Sequence, residues 1–288
     1  MTYQNNLVTV YITTYNRLIL LRRAVESVLN QTYKSIELLI VDDGSTDGTH
    51  EYLNELSRKH KNIKFLINSS NSGACYGRNK AILNASGEYI TGLDDDDYFV
   101  ENRISDFINE WKNKKPSVIA LYSSVKKKEK ADKYIKCDKK SLVKRNQLFF
   151  NNDIGNQVFT KTKIIKSING FDTDMPAWQD LECWIRLLSL GDAQCVNNYS
   201  YIVDVSHPHE RITLQKTNKI QLACNHLVSK HNLTKRQKSR LVTQLIPYAP
   251  SYYKLTPHFI NAFLQLDFML ICKLLNFLIK FTYLNKNK

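Results

Sequence analysis

Short apolar runs and amphipathic segments alternate along the first hundred residues of the chain. The runs have the length and β-branched content of buried strands, and the segments between them carry apolar residues at helical spacing. This alternation predicts a mostly parallel α/β sheet covered by helices. The predicted elements, in chain order, are strand 7–13, helix 18–29, strand 36–41, a helix capped by Thr46 or Asp47 and running to 59, strand 63–67, helix 77–85 and strand 89–93.

Three of the four predicted strands end in a polar cluster. Residues 15–17 (Tyr-Asn-Arg) follow the first strand, 42–45 (Asp-Asp-Gly-Ser) follow the second, and the four aspartates 94–97 follow the fourth. The carboxyl ends of parallel strands share one edge of a sheet, and ligands of open α/β sheets bind there. We therefore expect these loops to build one binding site.

The four aspartates at 94–97 call for a cationic partner, because like charges packed at the end of a buried strand repel one another. Carboxylate oxygens suit Mg²⁺ or Mn²⁺, which usually stay partly hydrated and are shared with substrate phosphates. The alternative is a solvated acidic turn that caps a helix after Tyr98. The other polar loops, which arrive in order along the chain, favour the metal site.

Four motifs together resemble the family 2 glycosyltransferases of GT-A fold. They are Thr-Tyr-Asn at 14–16, V-D-D-G-S-T-D at 41–47, N-x-G-x-x-x-x-R-N at 71–79, and the segment 87–97, which ends in L-D-D-D-D. The resemblance extends over residues 7–215. It implies an α/β fold of GT-A type, a Rossmann-like α/β/α sandwich, with a C-terminal helical extension.

The resemblance also implies the residues that hold the donor, a nucleotide-sugar in which uracil is the usual base. Thr13, Tyr15 and Asp43 would contact the base, and Arg78 would help to hold it. Asp94 would face the ribose. The full set of implied donor-binding residues is Thr13, Tyr15, Asp43, Arg78, Asp94, Asp95 and Arg211.

By the same resemblance, Asp96 would ligate the divalent metal that bridges the diphosphate, and Asp97 would support Asp96 or share the ligation. A histidine would complete the metal site. His209 fits that position best, with Arg211 and Thr213 assisting, although a histidine pair in a loop is also common without any ligand. The implied cofactor is Mn²⁺ or Mg²⁺.

A single catalytic base remains to be found, because the leaving nucleoside diphosphate needs a metal ion more than it needs a proton. Residues 178–186 resemble the family's E-D-x-D/E-x-W-x-R helix start, in which the Asp of E-D is the base, so the base here would be Asp180. Gln179 replaces the usual Glu, and Glu182 is the second candidate. The alternative is that Asp180 is simply an acid favoured by the helix dipole.

The carboxyl-terminal region differs in composition from the rest. The net charge is +14, and residues 212–288 hold twelve Lys or Arg and one acid, Asp267. We predict a GT-A domain at 1–215 and a basic, amphipathic helical region at 216–288. Asp267 and Lys273 interrupt the apolar segment 258–283, which therefore suits an anionic membrane interface better than a transmembrane span. The alternatives are packing on the catalytic domain or in a homodimer.

Two other stretches carry weaker expectations. The Lys-rich segment 126–145 shows little periodicity and is expected to be a mobile surface connection. The six cysteines are scattered, without zinc-like or disulfide-framework spacing, and no secretory signal pattern opens the chain. We therefore expect reduced thiols and a cytoplasmic location, peripheral to the inner face of the cell membrane if the tail binds lipid.

The expected function is inverting transfer of a hexose from a UDP-sugar to an acceptor hydroxyl. The acceptor would be a glycan or a polyprenyl-diphosphate sugar, in bacterial surface polysaccharide (O-antigen or capsule) synthesis. One alternative is a nucleotidyltransferase, although its Gly-rich phosphate loop and Lys signature are not found. A second is a basic nucleic-acid-binding protein, which the acidic loops disfavour, so no nucleic acid is expected as a partner.

Overall fold

The structure is a computed structural model that describes residues 4–130, 133–207, 217–246, 248 and 256–286. The chain divides into two compact units. The first contains the described residues of Met1–Arg145, Asp153–Asp174 and Gln179–His209, and the second contains those of Asn146–Asn152, Met175–Trp178 and Glu210–Lys288. The predicted domain boundary at 215 lies outside the described residues.

Strands and helices alternate as the sequence predicts up to residue 94. The strands are β1 Gln4–Thr14, β2 Ile36–Asp42, β3 Ile63–Ile67, β4 Gly87–Asp94, β5 Tyr98–Phe99, β6 Val118–Lys130, β7 Lys133–Cys137, β8 Leu142–Val143, β9 Phe159–Lys161 and β10 Asp192–Asp204. The helices are α1 Leu18–Leu29, α2 Thr49–Lys59, α3 Ala74–Asn84, α4 Arg103–Asn113, α5 Arg145–Leu148, α6 Thr162–Ser167, α7 Gln179–Leu187, α8 Thr217–Lys230, α9 Lys235–Val242, α10 Thr256–Leu264 and α11 Phe268–Lys286.

One sheet organises the first unit, in the order β3-β2-β1-β4-β9-β6-β10-β5, with β7 paired to β6 and β8 to β10. The first four strands run parallel. Thr14 pairs with Asp42 of β2, and Thr13 pairs with Asp94 of β4. The predicted polar loops therefore leave the sheet side by side at one edge.

Strand β9 lies antiparallel between β4 and β6, and its Phe159 anchors the aromatic part of the core. The Phe159 ring lies 5.3 Å from Tyr89 and 5.4 Å from Phe107, both stacked, and Trp111 meets it edge-on at 5.8 Å. Each such pair contributes about 0.5–1.5 kcal/mol beyond burial. This cluster fixes β4, and with it the aspartates that follow.

Two local predictions are wrong. The segment 126–145 is not a mobile connection, because Lys126 to Lys128 continue β6, paired with β10 on one side and β7 on the other. The cap of α2 is Gly48, in the left-handed conformation at φ 88°, and not Thr46 or Asp47. The Asp47 carboxylate instead accepts hydrogen bonds from the Leu18 N–H at 2.9 Å and from the Thr49 hydroxyl at 2.6 Å.

The second unit is helical, and a small apolar core joins α10 and α11 to the residues around Ile246. Ala262, Leu270 and Leu274 are fully buried there, with Phe150 packed against them. Among the described residues, none of the helices combines the length and apolar content that a membrane span needs.

Candidate donor and metal site

Asp43 ties together the loops that follow β2 and β3. It is buried, and its carboxylate accepts hydrogen bonds from the Asn68 amide at 2.8 Å, the Ser72 N–H at 2.9 Å and the Gly73 N–H at 2.7 Å. Gly73 has φ 89°, a conformation that glycine adopts without strain. The carboxylate predicted to meet the base therefore also shapes the loop that opens α3.

The loop after β1 is fastened to the loop after β2. The N–H of Asn16 donates to the Ser45 hydroxyl at 2.8 Å, and the Asn16 side chain accepts from the Thr46 N–H at 2.7 Å. Tyr15 next to it is exposed, and Thr13 is half-buried where it packs on Gly77, at which an added Cβ would lie 3.0 Å from the Thr13 methyl. Two predicted base contacts thus line the same edge as Asp43.

Three of the four consecutive aspartates converge. One carboxylate oxygen from each of Asp94, Asp96 and Asp97 lies within 4.8 Å of the others. A tight turn produces this, with the Asp97 N–H donating to the Asp94 carbonyl at 3.0 Å. Three hard oxygen donors at this separation fit Mg²⁺ or Mn²⁺, which take carboxylate ligands and share the remaining positions with water and phosphate.

Asp94 is held by side chains from two distant parts of the chain, helix α3 and the segment before β9. Its carboxylate accepts hydrogen bonds from Arg78 at 3.1 Å, the Asn156 amide at 2.6 Å and the Gln157 amide at 2.9 Å. Asn156 also reaches Asp97 at 3.4 Å. The sequence assigned Asp94 to the ribose, and the structure brings it beside the two predicted metal ligands. The resemblance places Asn156 and Gln157 at the start of the acceptor side, and their contacts with Asp94, 62 and 63 positions away in the sequence, are visible only in the fold.

Asp95 points elsewhere. It is buried, accepts a hydrogen bond from the Thr14 hydroxyl at 2.8 Å and pairs with Arg17 at 3.1 Å. Burial raises the pKa of Asp95 to about 6, the Asp96 charge adds to the rise, and Arg17 and Thr14 offset it in part. Asp95 therefore links the end of β1 to the turn of residues 94–97, which we call the acidic turn, and stands apart from the three converging carboxylates.

Asp204, at the end of β10, supports the acidic turn and had no signal in the sequence. Its backbone N–H donates to Asp97 at 3.0 Å, and its buried carboxylate pairs with Arg23 and, at 3.5 Å, with Lys128. Arg23 also donates to the Asp96 carbonyl at 2.5 Å. Burial would raise the pKa of Asp204, but hydrogen bonds from Ser206 and the two cations lower it to about 2.

We expect Asp204→Asn to lower the free energy of unfolding by about 2–3 kcal/mol at pH 7, because the lowered pKa of Asp204 corresponds to roughly that much stabilisation of its carboxylate by Ser206 and the two cations. The unfolded carboxyl titrates near pH 4. The contribution of the ionised Asp204 carboxylate to the free energy of unfolding is therefore complete above about pH 4 and is lost as the pH falls toward about 2. Urea unfolding measures the free energy of unfolding of wild type and variant, and the difference between the two should become smaller below about pH 4. The exposed Asp174→Asn is the control, and a pH-independent difference would contradict this origin.

The histidine segment is described only in part. His209 and Arg211, which the sequence assigned to the metal and the diphosphate, lie outside the described residues, as does Thr213. The described neighbour, His207, places its Nε2 atom 3.5 Å from Asp96 Oδ2. The described start of the segment, His207, therefore lies at the turn of residues 94–97 directly after β10.

Asp180 lies in the first turn of α7 and shares its surroundings with Arg78 and Asp94. Burial raises the pKa of Asp180 above its ordinary value and the Asp94 charge adds to the rise, while the Leu181 N–H and Arg78 oppose it. The residue predicted as base is thus electrostatically coupled to the strand end that carries the acidic turn. A raised pKa makes a carboxylate a stronger proton acceptor at neutral pH.

Glu182, the second candidate for the base, has a different environment. It is fully buried and pairs with Arg186 at 2.6 Å, and Arg186 in turn donates to the Gly170 carbonyl at 2.7 Å. Its carboxylate therefore fastens α7 to the turn at Gly170.

Comparison with known proteins decides the family. The glycosyl transferase family 2 model matches residues 9–168. The chain belongs to glycosyltransferase family 2. One relative of this family 2 glycosyltransferase is WcaA of Escherichia coli K12, which is named as a colanic acid biosynthesis glycosyl transferase. The two are 37% identical over 225 residues, which cover 73% of this chain and 76% of WcaA.

A shorter match covers 36% of this glycosyltransferase and 40% of WfaP of Escherichia coli, at 43% identity. WfaP is named a UDP-Glc:α-D-GlcNAc-diphosphoundecaprenol β-1,3-glucosyltransferase. That match spans less than half of either protein.

Solved structures confirm the GT-A fold. TarS of S. aureus, residues 1–349 in complex with UDP-GlcNAc, matches with a TM-score of 0.67 over 89% of this glycosyltransferase and 79% of that chain, at 16% identity. The mannosyltransferase PcManGT of Pyrobaculum calidifontis, in complex with GDP-Man and Mn²⁺, matches with a TM-score of 0.56 over 95% and 86%, at 15% identity. At these identities the likeness concerns the fold.

Proposed function

We propose that this enzyme transfers a hexose from a UDP-sugar to an acceptor hydroxyl with inversion, in a reaction that depends on Mn²⁺ or Mg²⁺. The observation that carries the proposal is the convergence of Asp94, Asp96 and Asp97 within 4.8 Å, on a strand end coupled electrostatically to Asp180. This arrangement offers a place for a metal-bound diphosphate, and the influence of Asp94 and Arg78 on the pKa of Asp180 supports Asp180 as the base.

In the proposed donor site, the loops fixed by Asp43 and Asn16 bind the nucleoside. Thr13 and Tyr15 line this part of the sheet edge, and Tyr15 is exposed enough to meet a base. The UDP preference is supported by the names of WfaP and of the TarS complex, whereas the PcManGT complex holds GDP-Man.

The proposed metal ligands are Asp96 and Asp97, with Asp94 adjacent. Bound there, Mn²⁺ or Mg²⁺ supplies positive charge to the departing diphosphate. The Asp204 N–H holds the Asp97 carboxylate at 3.0 Å, and Arg23 holds the Asp96 backbone carbonyl at 2.5 Å, so that the ligands stay in place as charge develops. Arg211 and His209 remain proposed partners of the diphosphate and the metal.

Asp180 is the proposed base, which removes the acceptor proton as the hydroxyl oxygen bonds to the anomeric carbon and the bond to the diphosphate breaks. One base and one leaving group give a single displacement, and hence inversion. Glu182 is disfavoured because Arg186 neutralises its buried carboxylate.

The proposed acceptor is a lipid-linked sugar in bacterial surface polysaccharide synthesis. WcaA is named for colanic acid biosynthesis, and WfaP and a Campylobacter jejuni relative are named for diphosphoundecaprenol or PP-undecaprenol acceptors. A lipid acceptor would place the enzyme at the inner face of the cell membrane, in peripheral contact.

A thermal-shift experiment tests the donor proposal. At roughly a hundredfold excess over its dissociation constant, UDP with Mn²⁺ should stabilise the protein by about 2.7 kcal/mol and raise Tm by about 5 °C or more. GDP should do less, and an oligonucleotide nothing. An equal shift with the oligonucleotide would favour nucleic-acid binding. Release of pyrophosphate from UTP and a sugar 1-phosphate, rather than of UDP from a UDP-sugar, would identify a nucleotidyltransferase.

A further inference from the structure

The hairpin formed by α10 and α11 exposes large apolar side chains around the turn that joins its helices. Those nearest the turn are between 53% and 78% exposed. A contiguous patch of this kind marks an interaction surface, unlike apolar residues scattered singly. We define the apolar rim as Ile260, Phe263, Leu264, Leu266, Phe268, Met269, Leu275, Leu278 and Ile279.

The rim continues along one side of α11. Phe268, Leu275 and Ile279 are exposed at positions i, i+7 and i+11, which share a helix face. Leu270 and Leu274, on the opposite face, are fully buried in the core of the second unit. α11 is therefore apolar on the side that packs in the core and also on the side that faces solvent. Packing in the core uses only the buried side, so the exposed apolar side is available for another interaction.

Both charged residues between 260 and 279 turn away from the rim. Asp267 is fully buried and accepts hydrogen bonds from Arg240 at 2.6 and 2.8 Å and from Arg236 at 2.9 Å. Lys273 donates to the Phe150 carbonyl at 2.7 Å and lies 4.4 Å from the centre of that ring. The two residues that interrupt the apolar sequence thus leave the outer surface uncharged from 260 to 279.

Basic residues adjoin the rim. α9 packs against α10 and presents Lys235, Arg236 and Lys238 at the surface. Because residues 212–288 carry twelve Lys or Arg and one acid, a second copy of this surface would be repelled. A surface of anionic headgroups with an apolar interior complements both features.

We propose that the apolar rim inserts into the interfacial layer of an anionic bilayer, with α9 lying against the lipid headgroups. This inference rests on the peripheral membrane contact within the proposed function, and it names the element that inserts. Adsorption to vesicles is measured without donor or acceptor. Failure to adsorb would therefore leave the proposed transfer reaction intact, and absence of transfer would leave the adsorption result intact.

The test is co-sedimentation of the full chain with vesicles of phosphatidylglycerol and phosphatidylcholine, and with vesicles of phosphatidylcholine alone. Wild type should bind the anionic vesicles more strongly, with a preference that weakens as salt rises. The double variant Leu264→Gln/Phe268→Gln should lower the partition coefficient by about tenfold or more, because two large side chains no longer leave water. Lys235→Gln/Lys238→Gln should lower binding to anionic vesicles only.

Leu222→Gln provides the control, since Leu222 is a leucine of α8 outside the rim that is 58% exposed, and it should bind as wild type does. Circular dichroism melts verify that each variant is folded. A thiol probe on the exposed Cys272 of α11 gives an independent reading, a blue shift on anionic vesicles. The proposal is overturned if the rim variant binds like wild type, if wild type binds neither vesicle, or if light scattering shows a dimer that the rim variant dissociates.

Discussion

Asp180→Asn should abolish most sugar transfer while donor affinity stays close to that of wild type. The substitution keeps the size of the side chain and removes its ability to accept a proton, and general-base assistance of this kind contributes about 10²- to 10⁴-fold. Burial raises the pKa of Asp180, so the acid limb of kcat/KM should lie above the range of an ordinary aspartate. Activity should rise with pH through that limb, because only the ionised carboxylate can take the acceptor proton.

Glu182→Gln is the matched comparison, one helical half-turn away. Its carboxylate is occupied by Arg186, so the variant should lose thermal stability and retain most of its turnover per folded molecule. Transfer rates measured under saturating donor and acceptor, with donor affinity from calorimetry, separate the two effects. Full turnover in Asp180→Asn, or loss confined to Glu182→Gln, would reassign the base.

Asp96→Ala should eliminate the metal dependence of donor binding. Asp96 contributes one of three carboxylate oxygens within 4.8 Å, and the two that remain are partly engaged by Asn156 and Arg78. Since losing even an outer partner of a metal site typically costs about 10- to 100-fold in affinity, loss of a direct ligand should cost at least about 100-fold. Calorimetric titration of UDP with and without Mn²⁺ measures this loss.

Glu101→Ala is the control for this variant, because it removes an exposed acid from the same part of the chain without touching the acidic turn. Wild type and Glu101→Ala should bind UDP far more tightly with Mn²⁺ than without it. Asp96→Ala should bind UDP equally weakly in both conditions. A metal effect of undiminished size in Asp96→Ala would move the ligand role to other residues.

The strands and loops at the carboxyl edge of the sheet were predictable because each is specified by residues adjacent in the sequence. Each buried parallel strand is a continuous apolar run, and each loop at its carboxyl end begins with a polar residue, so β3 at 63–67 and α1 at 18–29 match their predicted bounds. The GT-A fold and the family are confirmed. The roles of Thr13, Tyr15, Asp43 and Asp180 stay predictions.

What escaped prediction depends on partners distant in the sequence. Asp204 lies 107 positions beyond Asp97, and no local pattern distinguishes it from any other aspartate at a strand end. β6 was missed for a related reason. Lys126 to Lys128 show no apolar alternation in the sequence. They are extended because they pair with β10 on one side and β7 on the other, and such pairing leaves no local pattern.

Asp267 shows the same limit in the second unit. In the sequence it interrupts an apolar segment, which argued against a transmembrane span. In the structure two arginines of α9 enclose it, and its Oδ1 accepts from the Leu270 N–H at 3.3 Å. The charge therefore starts α11 rather than breaking it, a role visible only once α9 is known to be adjacent.

The position of β9 has a consequence for biosynthesis. On the ribosome, β1 to β4 emerge as a cohesive group, but one margin of β4 stays without its neighbour until Phe159–Lys161 leaves the exit tunnel. An exposed strand edge presents unpaired backbone N–H and C=O groups that can pair with strands of other chains. Premature termination between these two strands would therefore release fragments that are prone to aggregate. The three residues of β9 are needed to cover the exposed side of β4 in the nascent sheet.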